Sequence, residues 1–82
     1  MQKYAGMYDL GGTPIKIFIK ENKTLFAFVP GQPEYELVPV EKDKFSIKVL
    51  NGYSLKFEVN ADGKVSEVMF VQPNGNFKAK KN

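Results

Sequence analysis

No cysteine, histidine, tryptophan or arginine occurs anywhere in this 82-residue chain. Without histidine there is no Ser–His or Cys–His pair and no imidazole-held zinc. Without cysteine there is no thiolate nucleophile, disulfide or thiolate metal site. Lacking cysteine also leaves the compartment open, since such a chain suits cytosol, periplasm and exterior alike. All twelve basic residues are lysine, set against nine acids for a net charge of +3. Most lysines sit beside acids, as in Lys20-Glu21 and Glu41-Lys42-Asp43-Lys44, the pattern of a solvated surface. Only Lys78, Lys80 and Lys81 cluster, at the C-terminal tail. A nucleic-acid binder normally presents arginines and a basic stripe, so nucleic acid is not an expected partner. No stretch approaches the ~20 apolar residues of a membrane-spanning helix, and no membrane insertion is expected. The opening residues Met1 to Gly6 hold no apolar core of a signal peptide. The chain therefore does not read as a secretory precursor, although a mature or excised piece of one would look the same.

What is present suits one small folded domain spanning residues 1–82. An apolar share of 43% with 26% charged residues is that of a globular chain rather than a disordered one. A chain this short has little volume for its surface and no disulfide to help it. Seven phenylalanines and four tyrosines are then the main source of buried apolar area.

Turn chemistry recurs at Gly11-Gly12, Glu21-Asn22-Lys23, Pro30-Gly31-Gln32-Pro33, Glu41-Lys42-Asp43, Asn51-Gly52, Asp62-Gly63 and Asn74-Gly75. Breaks roughly 10 residues apart are the interval of short strands joined by hairpins. Between them apolar residues alternate with polar ones. Ile15, Ile17 and Ile19 oppose Lys16, Phe18 and Lys20; Phe45, Ile47 and Val49 oppose Lys44, Ser46 and Lys48; Tyr53, Leu55, Phe57 and Val59 oppose Ser54, Lys56 and Glu58. Period two marks sheets with one buried face, and no window carries the 3.6-residue period of a substantial helix. All five prolines are expected at strand ends or in turns.

The expected fold is all-β: a small antiparallel eight-stranded meander barrel with strands near 3–9, 14–20, 24–29, 34–39, 44–49, 53–59, 64–72 and 75–81. Closing the last strand on the first removes both unpaired edges, and eight strands suit either a filled interior or one small ligand. Short strands favour filling, and a sheet rolled over without closure is the alternative. In 64–71 the apolar parity switches from Val65 to Val68 and Phe70, which predicts a β-bulge near Ser66-Glu67. Residues 25–29, Leu-Phe-Ala-Phe-Val, are apolar on both faces. One face must lie against something other than the barrel core.

Candidate sites are few. Ser46, Ser54 and Ser66 fall on polar faces, and none begins a Ser-x-x-Lys pair that would supply a base. Glu34 and Glu36 share a strand face and read as its wet side. Asn60-Ala61-Asp62-Gly63 opens like a calcium loop but lacks the later acidic ligands, and reads as a hairpin turn. Gly11-Gly12 precedes a strand rather than a helix, so it is no phosphate loop. The informative surface is aromatic. Inward isoleucines leave Phe18 facing out, and Phe26 with Phe28 could neighbour it across the hairpin. A patch of that kind tends to mark a partner site. The opposite register would turn Phe26 and Phe28 inward and leave Leu25, Ala27 and Val29 outside; the sequence leaves both open.

Three segments then carry a family likeness in order along the chain: Tyr4-Ala5-Gly6-Met7-Tyr8, Val29 to Pro39 leading on to Phe45, and Gly63-Lys64-Val65 through Phe70-Val71-Gln72-Pro73-Asn74-Gly75 to Ala79-Lys80-Lys81. Together they resemble the uncharacterised β domain found C-terminal to penicillin-recognising serine hydrolases (the β-lactamase/esterase-like family) and some bacterial peptidases. The resemblance implies a lipocalin-like barrel accompanying a catalytic domain of the same parent chain, an extracytoplasmic location, and a nucleophile and base that lie in that partner domain. The terminal lysines match the natural end of such a chain, where relatives often carry Lys-Arg. No catalytic residue carries over.

These readings converge on a non-catalytic accessory domain of a larger bacterial hydrolase, serving stabilisation, assembly or substrate access. No enzyme activity, cofactor or metal is expected, the isolated domain is expected to be monomeric, and Phe18, Phe26 and Phe28 are the candidate interface. The alternative is a small hydrophobic-ligand-binding module, which predicts a cavity of at least ~300 Å³ lined by tyrosine and phenylalanine.

Overall fold

Strand boundaries follow the turn residues. A computed structural model describes residues 2–21 and 23–82. A 3₁₀ turn, Gln2–Tyr4, leads into β1 (Gly6–Leu10), β2 (Thr13–Lys20), β3 (Thr24–Phe28), β4 (Tyr35–Glu41), β5 (Lys44–Ile47), β6 (Ser54–Val59), β7 (Val65–Gln72) and β8 (Gly75–Lys81). Each strand pairs antiparallel with the next, and β8 returns to β1 to close the barrel. The seam is brief. Tyr8 opposes Lys81 and Asp9 opposes Lys80, and the Asn82 amide donates to the Met7 carbonyl at 2.9 Å. The return of β8 to β1 closes the barrel, so the rolled-over open sheet does not form.

The β1–β2 hairpin shows how locally the turns are set. Leu10 pairs with Thr13, so only Gly11 and Gly12 form the loop. Their φ angles are 56° and 96°, the doubly left-handed backbone that a type I′ turn needs. Asp9 adds a carboxylate acceptor for the Gly12 amide at 2.8 Å. Gly12→Val is expected to cost about 1–2 kcal/mol, because a Cβ penalises left-handed backbone. A lowered urea midpoint with unchanged slope would register it.

Parity also sets the bulge. Glu58 faces Glu67 but Val59 faces Val65, so Ser66 is the extra residue on β7, where the parity switch predicts it. Its hydroxyl donates to the Glu58 carbonyl at 3.4 Å. A second bulge is not anticipated: Pro39 faces Phe45 and Glu41 faces Lys44, which leaves Val40 unpaired. That shift accommodates Pro39 within β4, and Pro14 sits second in β2; neither lies at the strict strand end or turn expected of it. Val49, expected inward, is 69% exposed in the β5–β6 loop, because β5 ends at Ile47. Residues 3–5, expected to begin β1, belong instead to the 3₁₀ turn and the residue after it.

Inward residues of all eight strands meet in one core built on Tyr8, Ile15, Ile17, Leu25, Leu37, Phe45, Leu55, Phe57, Val68 and Ala79. The meander gives the barrel two unlike ends. At one end lie the β2–β3, β4–β5 and β6–β7 connections and both chain ends. There Tyr4, carried by the 3₁₀ turn, folds under the barrel against Phe57 (centroids 4.5 Å) and edge-on to Phe45 (5.2 Å). The Tyr8 hydroxyl donates to the Tyr4 carbonyl at 2.8 Å. Among the described residues no helix is long and apolar enough to cross a membrane.

Candidate functional site

The outer surface of β2 and β3 carries the aromatic residues that the sequence singles out. β2 directs Ile15 and Ile17 into the core and β3 directs Leu25 and Ala27, so their alternates face outward. The register places Phe18 opposite Phe26 and Lys16 opposite Phe28. Phe18 and Phe26 stack with ring centroids 5.8 Å apart and planes 23° from parallel. Phe28 lies on the same face one pair further along, beyond the stack. All three are half-buried. Sequence reasoning did not include Met7. It opposes Lys16 on β1, is exposed, and extends the row Met7–Lys16–Phe28 across three strands.

Lysines cover these rings. Lys20 Nζ sits 4.7 Å from the Phe26 centroid and 5.8 Å from that of Phe18, and Lys16 Nζ sits 5.3 Å from Phe18. Such contacts contribute about 0.5–1 kcal/mol each at exposed sites. Lys20 also pairs with Glu34, and Lys48 with Glu36 at 3.6 Å. The two glutamates thus each hold a lysine at the edge of the aromatic face rather than forming a carboxylate pair. Asn60 is likewise occupied: its side-chain oxygen accepts the Asp62 and Lys64 amides at 2.9 and 3.1 Å, as a hairpin turn requires.

At the closed end the polar groups serve to lock the plug. The Tyr4 hydroxyl donates to Asp43 Oδ1, with Lys3 Nζ 3.5 Å from the same carboxylate. Burial first, then the hydrogen bond to the Asp43 anion, pushes the Tyr4 phenol up to about 12. Burial also pushes Tyr8 up. The Tyr4 hydrogen bond chiefly, with Lys3 and Lys42 adding charge against the opposing effect of desolvation, holds Asp43 below the usual carboxylate range. A phenol so raised is no nucleophile near pH 7, and a carboxylate so lowered is a weak base. Lys81 Nζ donates to the Lys3 carbonyl at 3.1 Å and ties the last strand to the same turn.

The opposite end opens into a cavity of about 210 Å³. Ile15, Ala27 and Phe70 lie deepest in it, Leu10, Val29 and Ile47 form walls, and Thr13, Gln32, Tyr35 and Tyr53 ring the opening. The β1–β2, β3–β4, β5–β6 and β7–β8 connections converge there. The volume falls short of the ~300 Å³ expected of a drug-sized pocket, yet far exceeds a single water. The barrel is therefore filled at one end and hollow at the other.

Comparison with family models, with curated proteins and with solved structures finds no match to this chain.

Proposed function

We propose that this chain is a non-catalytic accessory domain that docks, through the outer face of β2 and β3, onto a catalytic hydrolase domain of the same parent chain. The observation that carries the reading is the outward placement of Phe18, Phe26 and Phe28 on a barrel whose core is already supplied by Tyr4, Tyr8, Phe45, Phe57 and Phe70. Phenylalanines at three outward positions on neighbouring strands do nothing for the interior, but desolvating them against a partner would stabilise an assembly. Met7 widens the same face. Lys16 and Lys20 fit this role, since their ammonium groups lie over the rings and would meet acidic groups of a partner at the interface rim.

Hydroxyl-radical footprinting of the parent chain beside the isolated domain tests the assignment. Oxidation of Met7, Phe18, Phe26 and Phe28 is expected to fall severalfold in the parent, while exposed Phe77 and Val49 keep their rates. Equal labelling of the four residues in both samples would sink the docking face.

A further inference from the structure

We propose that the hollow end of the barrel binds a small, uncharged aromatic molecule of about eight to ten non-hydrogen atoms, seated between Ala27 and Phe70 inside and Tyr35 and Tyr53 at the rim. The size comes from volume. A dry 150 Å³ cavity accepts benzene, so about 210 Å³ admits a ring system up to a small bicycle and excludes drug-sized ligands. Charge selects against ions. None of the described residues lining the cavity is charged, and burying an ion there would leave it without a counter-charge. Shape and polarity supply the rest: three aromatic side chains line the space, and Thr13, Gln32 and the two tyrosine hydroxyls offer a polar group of the ligand hydrogen bonds at the opening.

The cup is built by residue choice. β3 carries leucine at its first inward position but only alanine at its second, and Ala27 opposes Ile17 on one side and Tyr35 on the other. A larger side chain at position 27 would fill the space. Below it the aromatic plug of Tyr4, Phe45 and Phe57 packs the opposite end of the barrel. Unfilled apolar volume costs stability, and here it is concentrated at the end where four connections converge rather than scattered through the core. This site is independent of the docking face, which lies outside the sheet.

Methyl-resolved NMR titration of the 82-residue chain with indole tests the site. Saturable shifts are expected at Leu10, Ala27, Val29, Ile47 and Leu50, with Leu25, Val65 and Val68 unmoved. Benzene should bind several-fold more weakly, and indole-3-acetate at least tenfold more weakly because of its charge. Ala27→Leu should abolish the shifts. Because that change could also disturb packing, Tyr53→Ala serves beside it: Tyr53 lies outside the strands, and its loss should weaken indole about tenfold with the rest of the spectrum intact. Phe26→Ser should leave indole binding unchanged. Absence of saturation up to the solubility limit of indole, equal shifts on the outer face, or undiminished binding by folded Ala27→Leu would each overturn the proposal.

Discussion

Phe57→Ala is expected to remove a large share of the domain's stability. Phe57 is 2% exposed and stands at the centre of the aromatic plug, 4.5 Å from the Tyr4 ring, 5.7 Å from Phe45 and 6.1 Å from Tyr8. Truncating a buried phenylalanine costs about 3–5 kcal/mol in transfer and cavity terms. A chain of this length has about 4–12 kcal/mol in all, at roughly 0.05–0.15 kcal/mol per residue. The loss extends beyond one side chain. Tyr4 rests on Phe57 from the 3₁₀ turn, so its removal also frees the segment that closes the barrel. Urea unfolding followed by near-ultraviolet circular dichroism of the tyrosines is the measurement. Phe77→Ala is the contrast, because Phe77 is 43% exposed and surface changes stay within about 0.5 kcal/mol. Similar midpoints for the two variants would show that the plug is not the centre of stability.

Alkaline unfolding is the second large effect. Tyr4 has its folded pKa raised from 10.0 to about 12, and Tyr8 is raised as well. A raised folded value means that the unfolded chain releases these protons first. The stabilisation is therefore complete below about pH 10 and drains away as the pH rises from 10 towards 12. Asp43 acts with the opposite sign. Its folded pKa is lowered from 3.8, so its contribution is present above that value and is lost as the pH falls through its folded value. Folding measured across pH should thus show an alkaline limb from Tyr4 and Tyr8 and an acid limb to which Asp43 contributes. In Tyr4→Phe the alkaline limb should flatten, leaving the share of Tyr8, and the Asp43 part of the acid limb should shrink with it. An alkaline limb that Tyr4→Phe leaves unchanged would remove the Tyr4–Asp43 contact from the account.

Much of this architecture is legible residue by residue. The glycine pair at 11–12 admits a two-residue hairpin with left-handed backbone at both positions, and the structure has one. The parity break between Val65 and Val68 points to a bulge near Ser66-Glu67, and the register makes Ser66 the inserted residue that lets both valines face inward. The aromatic face is half legible. Inward isoleucines commit Phe18 to the outside, but Leu-Phe-Ala-Phe-Val looks the same from either side. The pairing of Lys20 with Thr24 settles it, since that register sets Ile17 against Ala27 and Phe18 against Phe26. The cavity leaves a weaker trace in the sequence. Tyr53 heads the 53–59 alternation and so reads as inward, but nothing in the chain says that it shares a space with Tyr35, Ala27 and Phe70, which come from other strands and line the cavity with it.

The absences noted at the outset and the period-two pattern belong to the sequence alone. They set eight strands in a meander and most of the turn positions, because alternation and turn propensity act over a few residues and need no distant partner. Pairing across the barrel decided the rest. Closure of β8 on β1, the inward face of β3, Tyr4 as a plug and the hollow at the other end all depend on residues far apart in the chain. Their energies come from which side chains share a space, and a linear pattern carries no record of that.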